Sequence, residues 1–414
     1  MKLKLVHRVL FYCIISHLSS YKMVFSTENF QDECQESEDC QSISNSCNKF
    51  SSKFIQILTS NQKQDNILIS SFSVYTILSV LFHGADEVTK EQLKSGLYLL
   101  TPGQLGNEFK QLLKSLRSVR EAELEIADAI FISTNFSLKQ EFLSISKDIH
   151  EINIEDINVQ DSPGSSRKVN SWIKDKTKGK INDILSSSDI DDYTSLILVN
   201  ALYFKSAWLQ PFDPQSTEKR KFYSINGITT FIPTMYKTIN LPHGTIPSLD
   251  ASFIKLKYKS EVFEMIIILP KEKDGLHNLE KHFEWHLVSG ARYFMKEVEL
   301  FLPKFKLENT LDLKRPLQKF GITSIFQETA NFDNLAHESV YVSTIKQKLF
   351  VEVDEKGSEA AAATVAQIRS RRMIVKSDYF KVDHPFMFII NHKPSNIPLF
   401  IGSIRKLGEV KDEL

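Results

Sequence analysis

Residues Val351 to Lys381 read VEVDEKGSEAAAATVAQIRSRRMIVKSDYFK. The stretch opens as a strand, because Val351 and Val353 alternate with Glu352 and Asp354. Gly357 and Ser358 interrupt it, and Ala360, Ala361, Ala362, Ala363, Thr364, Val365 and Ala366 follow. By propensity alone the alanines favour a helix. A period of two is more informative. One face then carries Ser358, Ala360, Ala362, Thr364, Ala366 and Ile368, all small or apolar, while Glu359, Gln367 and Arg369 fall on the other. A segment with one uncharged face is suited to burial as a strand, and its small side chains let it slide between neighbouring strands. The basic cluster Arg369-Ser370-Arg371-Arg372 comes next, then the apolar Met373, Ile374 and Val375.

DEKGSEAAAAT resembles the hinge of an inhibitory serpin reactive loop, and KVDHPFMFII resembles the serpin signature around the last strands. The resemblance runs roughly from Asn48 to Lys406. It implies an α+β fold with a large mixed main β-sheet, two smaller sheets and eight to nine helices. An exposed reactive-centre loop would span about residues 355–380, with Glu355, Gly357, Ser358, the alanines 360–363 and Thr364 as its hinge.

Other blocks agree. Asn48 to Leu58 has helical spacing, with Phe50, Phe54, Ile57 and Leu58 on one face. Asn66 to Ser73 reads as a short strand entering a helix capped by a serine, which resembles the serpin block at the centre of the main sheet. Ser71 stands where that block has proline. The helix continues to Phe82 and stops at Gly84, before the serpin-like GADEVTKEQL. Val169 to Ile181 matches the family's helix across the front of the sheet. LILVNALYFKSAW, residues 196–208, reads as a buried strand and is similar to the one flanking the place where the loop inserts. Further strands fall at Phe253–Pro270 and Val298–Lys306, and FMFII and IPLFIGSI have the unbroken apolar character of central strands. The resemblance places Ser70, Ser73, Asn200 and Trp208 in the region that controls sheet opening. Inhibitory serpins usually carry a histidine there, on the strand before the hinge, at the position held here by Gln347. A buried glutamine needs partners, and Asn200 and Ser70 are the candidates.

Bulk properties set the frame. Four hundred and fourteen residues without a Gly/Ser- or Pro-rich linker or a repeat fit one large domain, residues 48–406. Lys+Arg and Asp+Glu number 51 each, so no global charge argues for nucleic acid or an anionic membrane. Lys2, Lys4, His7 and Arg8 precede an apolar run, Val9 to Ile15, too short to span a bilayer. Residues 1–26 therefore read as a signal peptide cleaved after Ser20 or Ser26, and no later stretch is long enough for a membrane span. Residues 27–47 read as a polar extension carrying Cys34, Cys40 and Cys47. That number is odd, so one local disulfide leaves a thiol over. Asn135-Phe136-Ser137 is a glycosylation sequon, usable on an exported chain. Residues 407–414 form a tail ending in Lys411-Asp412-Glu413-Leu414, the retrieval signal read by the KDEL receptor. These ends point to the endoplasmic reticulum lumen and early secretory pathway, with some protein secreted.

Catalytic motifs do not appear. There is no GxSxG, HExxH, Walker loop or CxxC, and Ser370 has no recognisable base. Nothing in the sequence calls for a cofactor or a metal. His282 and His286 in HFEWH are spaced for zinc but lack a third ligand, so a partly exposed helix explains them better. Phe109 to Arg120 is amphipathic, with Lys110, Lys114, Arg117 and Arg120 among its polar positions. In some serpins the corresponding helix binds heparin. The plainer reading is a solvated face relieved by Glu108, Glu121 and Glu123.

What the resemblance implies is a suicide-substrate inhibitor of serine proteases, not an enzyme. The protease attacks the bait bond and forms an acyl-enzyme, the freed loop inserts as an extra strand, and the distorted oxyanion hole no longer supports deacylation. The chain has no proline from Glu355 to Val375, which a strand in that place requires. The family's usual distance from the hinge puts the scissile bond at Arg371–Arg372, suited to a trypsin-like enzyme. The R-x-R-R pattern instead resembles a furin-like proprotein convertase site, cut at Arg372–Met373, with Arg371, Ser370 and Arg369 in the neighbouring subsites. Arginines offer bidentate contacts to the acidic pockets of such proteases. A retained, non-inhibitory chaperone of the collagen-binding type is the reading from another class, and the small, insertable hinge speaks against it.

Overall fold

A computed structural model describes residues 43–61, 64–100, 102–117, 119, 122–358 and 378–408. In chain order the first elements are α1 (Ile43–Asn61), β1 (Ile67–Ile69), α2 (Ser71–Gly84), α3 (Glu87–Gly96) and α4 (Asn107–Arg117). Then come β2 (Glu123–Ser133), α5 (Gln140–Asp148), β3 (Asn153–Ile157), α6 (Ser162–Lys176) and β4 (Leu196–Ala207). The middle of the chain forms β5 (Glu218–Tyr223), β6 (Thr229–Ile246), β7 (Ala251–Lys257), β8 (Phe263–Pro270), α7 (Leu276–Lys281) and α8 (Trp285–Ser289). It ends with β9 (Tyr293–Pro303), β10 (Phe305–Asp312), α9 (Lys314–Phe320), β11 (Val342–Val353), β12 (Gly357–Ser358), β13 (Asp378–Lys381), β14 (Phe386–His392) and β15 (Ile397–Ile404).

Six of these strands make the sheet that matters for function. Its order is β10-β11-β4-β2-β3, with β12 added on β4. Strand β4 shows why its sequence is apolar without a break. Leu196, Leu198, Leu202 and Phe204 enter the main core with α2, while Ile197, Val199, Ala201 and Tyr203 pack with Val169 and Ile173 of α6 on the other side. Both faces are covered, so period-two alternation disappears. Helix α2 is buried nearly all round and starts at the N-cap Ser70, whose hydroxyl accepts from the Ser73 N–H at 3.4 Å.

The other nine strands form a continuous path, β1-β15-β14-β8-β7-β6-β9-β13, with β5 on β6. The two smaller sheets implied by the resemblance are joined through the long β6, which pairs with β5, β9 and β7 along its length.

Two expectations are corrected. Helix α1 begins at Ile43, not Asn48, so Cys47 lies inside the fold. It is fully buried, it is free, and burial raises its thiol pKa well above the ordinary value. The polar extension therefore stops short of it, and Cys34 and Cys40 lie outside the described residues. His282 and His286 do not share a helix, because α7 ends at Lys281 and α8 starts at Trp285. The His282 ring instead meets the Asn278 carbonyl at 3.0 Å.

Candidate functional site: the seam between β4 and β11

Strands β4 and β11 run parallel, paired from Leu196 against Val342 to Tyr203 against Phe350 with one register shift between Val342 and Thr344. Beyond that pair they part. Val351 to Val353 stay paired only to β10, while Ala207 and Ser206 of β4 pair with Gly357 and Ser358 of β12. Strand β12 runs antiparallel to β4. Any segment that turns back from the end of β11 into this gap must be antiparallel to both walls. The first two residues of such a strand are already in place.

A tight turn delivers them. Asp354 Oδ1 accepts from the backbone N–H of Lys356 at 2.8 Å and of Gly357 at 3.0 Å, and the Asp354 N–H donates to the Gly357 carbonyl at 3.0 Å. Gly357 sits at φ +145°, and a Cβ there would lie 2.3 Å from the Ser206 carbonyl oxygen. Only glycine combines that backbone with that approach.

The turn is held from outside by an aromatic clamp and an ion pair. Trp208, buried, stacks on Tyr258 with centroids 4.6 Å apart, and its Nε1 donates to the Asp354 carbonyl at 3.0 Å. Its backbone N–H donates to the Lys356 carbonyl at 2.9 Å, and that of Phe212 to the Glu355 carbonyl at 2.8 Å. The Glu355 carboxylate accepts from Thr217 Oγ1 at 2.8 Å and pairs with Lys304 Nζ at 3.0 Å. Burial pushes its pKa up, but Lys304 and Thr217 outweigh that and hold it below the ordinary carboxylate value.

Midway down the seam a polar row crosses three strands. Gln347, Asn200 and Asp128 are register neighbours on β11, β4 and β2. Gln347 Oε1 accepts from the Ser70 N–H at 3.0 Å, and its Nε2 donates to the Ser70 carbonyl at 3.0 Å and to Asn200 Oδ1. Asn200 Nδ2 in turn donates to Asp128. The carboxamide of Gln347 is fully buried and bonded through both of its atoms. Ser73 Oγ lies 3.3 Å from Ser70 Oγ, behind the row. Ser71, where proline was expected, is buried with its hydroxyl unpartnered.

A strap crosses the front. Lys346 pairs with Asp189 at 2.6 Å, and Lys348 donates to the Asp183 carbonyl at 2.9 Å while pairing with Glu308 at 2.9 Å. Asn170 of α6 anchors the same segment, accepting from the Ile184 and Leu185 N–H groups at 3.0 Å each.

Sequence reading thus named Ser70, Ser73, Asn200, Gln347, Trp208, Glu355 and Gly357, and the fold brings them together in two clusters along one seam. It quoted Asp354 in the hinge motif without a role, and it missed Asp128, Tyr258, Thr217 and Lys304. A lone acid inside the apolar IADAIFI was the one available signal for Asp128; the others carry none. The basic cluster at 369–372, Met373 and the hinge positions from Glu359 onward lie outside the described residues, as do Arg120 and the tail 409–414.

The family model described as serpin (serine protease inhibitor) matches residues 45–407. The chain belongs to the serpin family. Glia-derived nexin of Mus musculus is 34% identical to this serpin over 363 residues, 85% of this chain and 90% of the relative. The solved structure of Serpin48 from the insect Tenebrio molitor superposes with a TM-score of 0.82 at 29% identity, covering 90% of this serpin and all of that chain. Native protease nexin-1 with heparin superposes with a TM-score of 0.80 at 29% identity, over 88% of this serpin and all of that chain. This serpin is a protease inhibitor, not an enzyme. Among its described residues no helix is long and apolar enough to cross a membrane. Asn135 is exposed in the turn after β2.

Proposed function

We propose that this serpin traps furin-like proprotein convertases of the secretory pathway by offering Arg372–Met373 as a suicide bait. The observation that supports trapping is the docked hinge, with Gly357 and Ser358 already paired to β4 and in the direction an inserted strand needs. The R-S-R-R cluster supports the choice of target, because each arginine suits an acidic subsite. In the reaction the protease's serine attacks the Arg372 carbonyl and the bond to Met373 breaks. Met373 leaves with a free amine, taking its proton from the protease's histidine, and Arg372 stays as an ester on the serine. Insertion of the freed loop between β4 and β11 then halts hydrolysis of that ester.

The signal-peptide reading of residues 1–26 and the motif Lys411-Asp412-Glu413-Leu414 support residence in the endoplasmic reticulum through the KDEL receptor, with Asn135 glycosylated. A secondary, weak heparin contact at α4 is supported by Lys110 and Lys114 and by the similarity to protease nexin-1.

One experiment tests the bait. Purified protein is mixed with furin and with trypsin, resolved on denaturing gels, and the released peptide is sequenced. A furin adduct and a peptide starting at Met373 are expected. An adduct with trypsin alone and a peptide starting at Arg372 moves the bait to Arg371–Arg372, the family's usual distance. Cleavage without any adduct overturns the trap and returns the chaperone reading.

A further inference from the structure

We propose that a basic concavity at the C-terminal foot of the loop is an exosite that receives an acidic face of the attacking protease. It rests on the reading above that the protease selects arginine. Arg220 and Lys221 of β5, Lys381 of β13 and Phe301 of β9 line a hollow of about 250 Å³ there. The Arg220 guanidinium lies 4.5 Å over the Phe301 ring, and Lys381 Nζ lies 5.7 Å from the same ring and 4.8 Å from that of Tyr379.

These cations are poorly neutralised. Arg220 has Glu218 at 3.0 Å, a side chain that is itself 69% exposed. Among the described residues neither Lys221 nor Lys381 has an ion-pair partner, and Asp383 beside them lies 2.8 Å from the His384 ring. Two large aromatics stand exposed at the margins: Phe231, the register neighbour of Lys221, at 52%, and Tyr379 at 60%. Arginine and aromatic side chains are what protein interfaces concentrate, whereas a merely solvated charged face has no reason to expose Phe and Tyr.

Position selects the partner. Met373 and Asp378 are five residues apart in sequence, so the start of β13 lies within about 17 Å of the bait bond even at full extension. A protease seated on that bond is therefore within reach of the hollow. An enzyme that prefers arginine in several subsites carries carboxylates around its cleft, and a complementary field speeds its arrival.

The test compares adduct formation by the full chain and by the variant K221E/K381E, with furin, at several salt concentrations. The variant should form adduct about tenfold or more slowly at low salt and lose most of the salt dependence. Its cleavage point and its ratio of adduct to cleaved inhibitor should not change, and K221R/K381R should keep the parental rate. An unchanged rate for K221E/K381E overturns the exosite while leaving the bait intact. Unchanged rate with weaker retention on heparin assigns the hollow to a sulfated polysaccharide and also overturns it. An adduct with trypsin but not furin sinks the furin reading, and the same rate comparison on trypsin then decides the exosite. No adduct with either protease sinks both.

Discussion

Gln347 stands where the resemblance leads one to expect a histidine, and its surroundings use both ends of its neutral carboxamide. Donor and acceptor are each satisfied by Ser70, with Asn200 taking the remaining N–H. Gln347→Leu leaves the Ser70 backbone and Asn200 without those partners, and should cost about 1–3 kcal/mol in urea unfolding. A loss under about 0.5 kcal/mol, within the range of ordinary surface changes, would show that the row is replaceable. The histidines elsewhere set the acid limit. Burial lowers the pKa of His83 to about 4, helped by Lys90, that of His150 to about 3, helped by His83, and that of His392 to about 4. Both ring nitrogens of His150 are buried without partners. In the unfolded chain these groups take protons near pH 6.5, so the unfolded state binds more protons from there down to the folded values. Stability must fall as pH drops through that window, by about 2 kcal/mol per histidine at pH 5. Thermal melts at pH 7 and pH 5 should show the drop, and His150→Leu should make it shallower.

At the scale of elements, the short β12 matters more than its length suggests. Under the trapping mechanism proposed above it would nucleate the added strand, because Gly357 and Ser358 already pair with β4 and each later residue would then extend an existing ladder. Gly357→Ala keeps the turn residues but puts a methyl against the Ser206 carbonyl at a backbone angle that alanine avoids. The native fold should survive, since only a two-residue pairing is lost. Insertion should start later after cleavage, so more protease should escape by hydrolysis. Titrating a fixed amount of protease should show several-fold more inhibitor consumed per adduct formed, and an unchanged ratio would mean that β12 plays no part in nucleation. The helix face of α4 reads the same way from sequence and structure: Phe109, Leu112, Leu113 and Leu116 are all buried.

For the whole molecule, the seam is a weak line in an otherwise covered sheet. Parallel β4 and β11 are joined along Leu196–Tyr203 and Val342–Phe350, Gly357 and Ser358 pair with β4 above, and the strap from Asp183 to Asp189 lies across the front. An inserted strand would convert that parallel pair into two antiparallel ladders and bury the small face of the loop. Cutting the loop should therefore raise the thermal midpoint of the protein, with the peptide bond as the only covalent change. Circular dichroism melts before and after limited trypsin treatment measure it. A midpoint that stays where it was would mean the freed loop does not insert, and inhibition by trapping would fail with it.

Local pattern in the sequence determined many of the elements, and the family resemblance supplied the sheet that each joins. The alternation at Val351–Asp354, the unbroken apolar run of β4, the serine cap of α2 and the small-residue face after Gly357 are all properties of neighbours along the chain, which is what periodicity and propensity record. Tertiary structure alone decided which polar groups meet. Ser70 and Gln347 are 277 residues apart, and Trp208 reaches Asp354 across 146. Lys304 and Tyr258 could not be picked out beforehand, because a partner on another strand leaves no periodic trace. Cys47 shows the same limit from the other side. Its neighbours in sequence are polar and suggest an exposed extension, yet the turn of α1 places the thiol in the core, where depth depends on what packs around the helix and not on what flanks the residue.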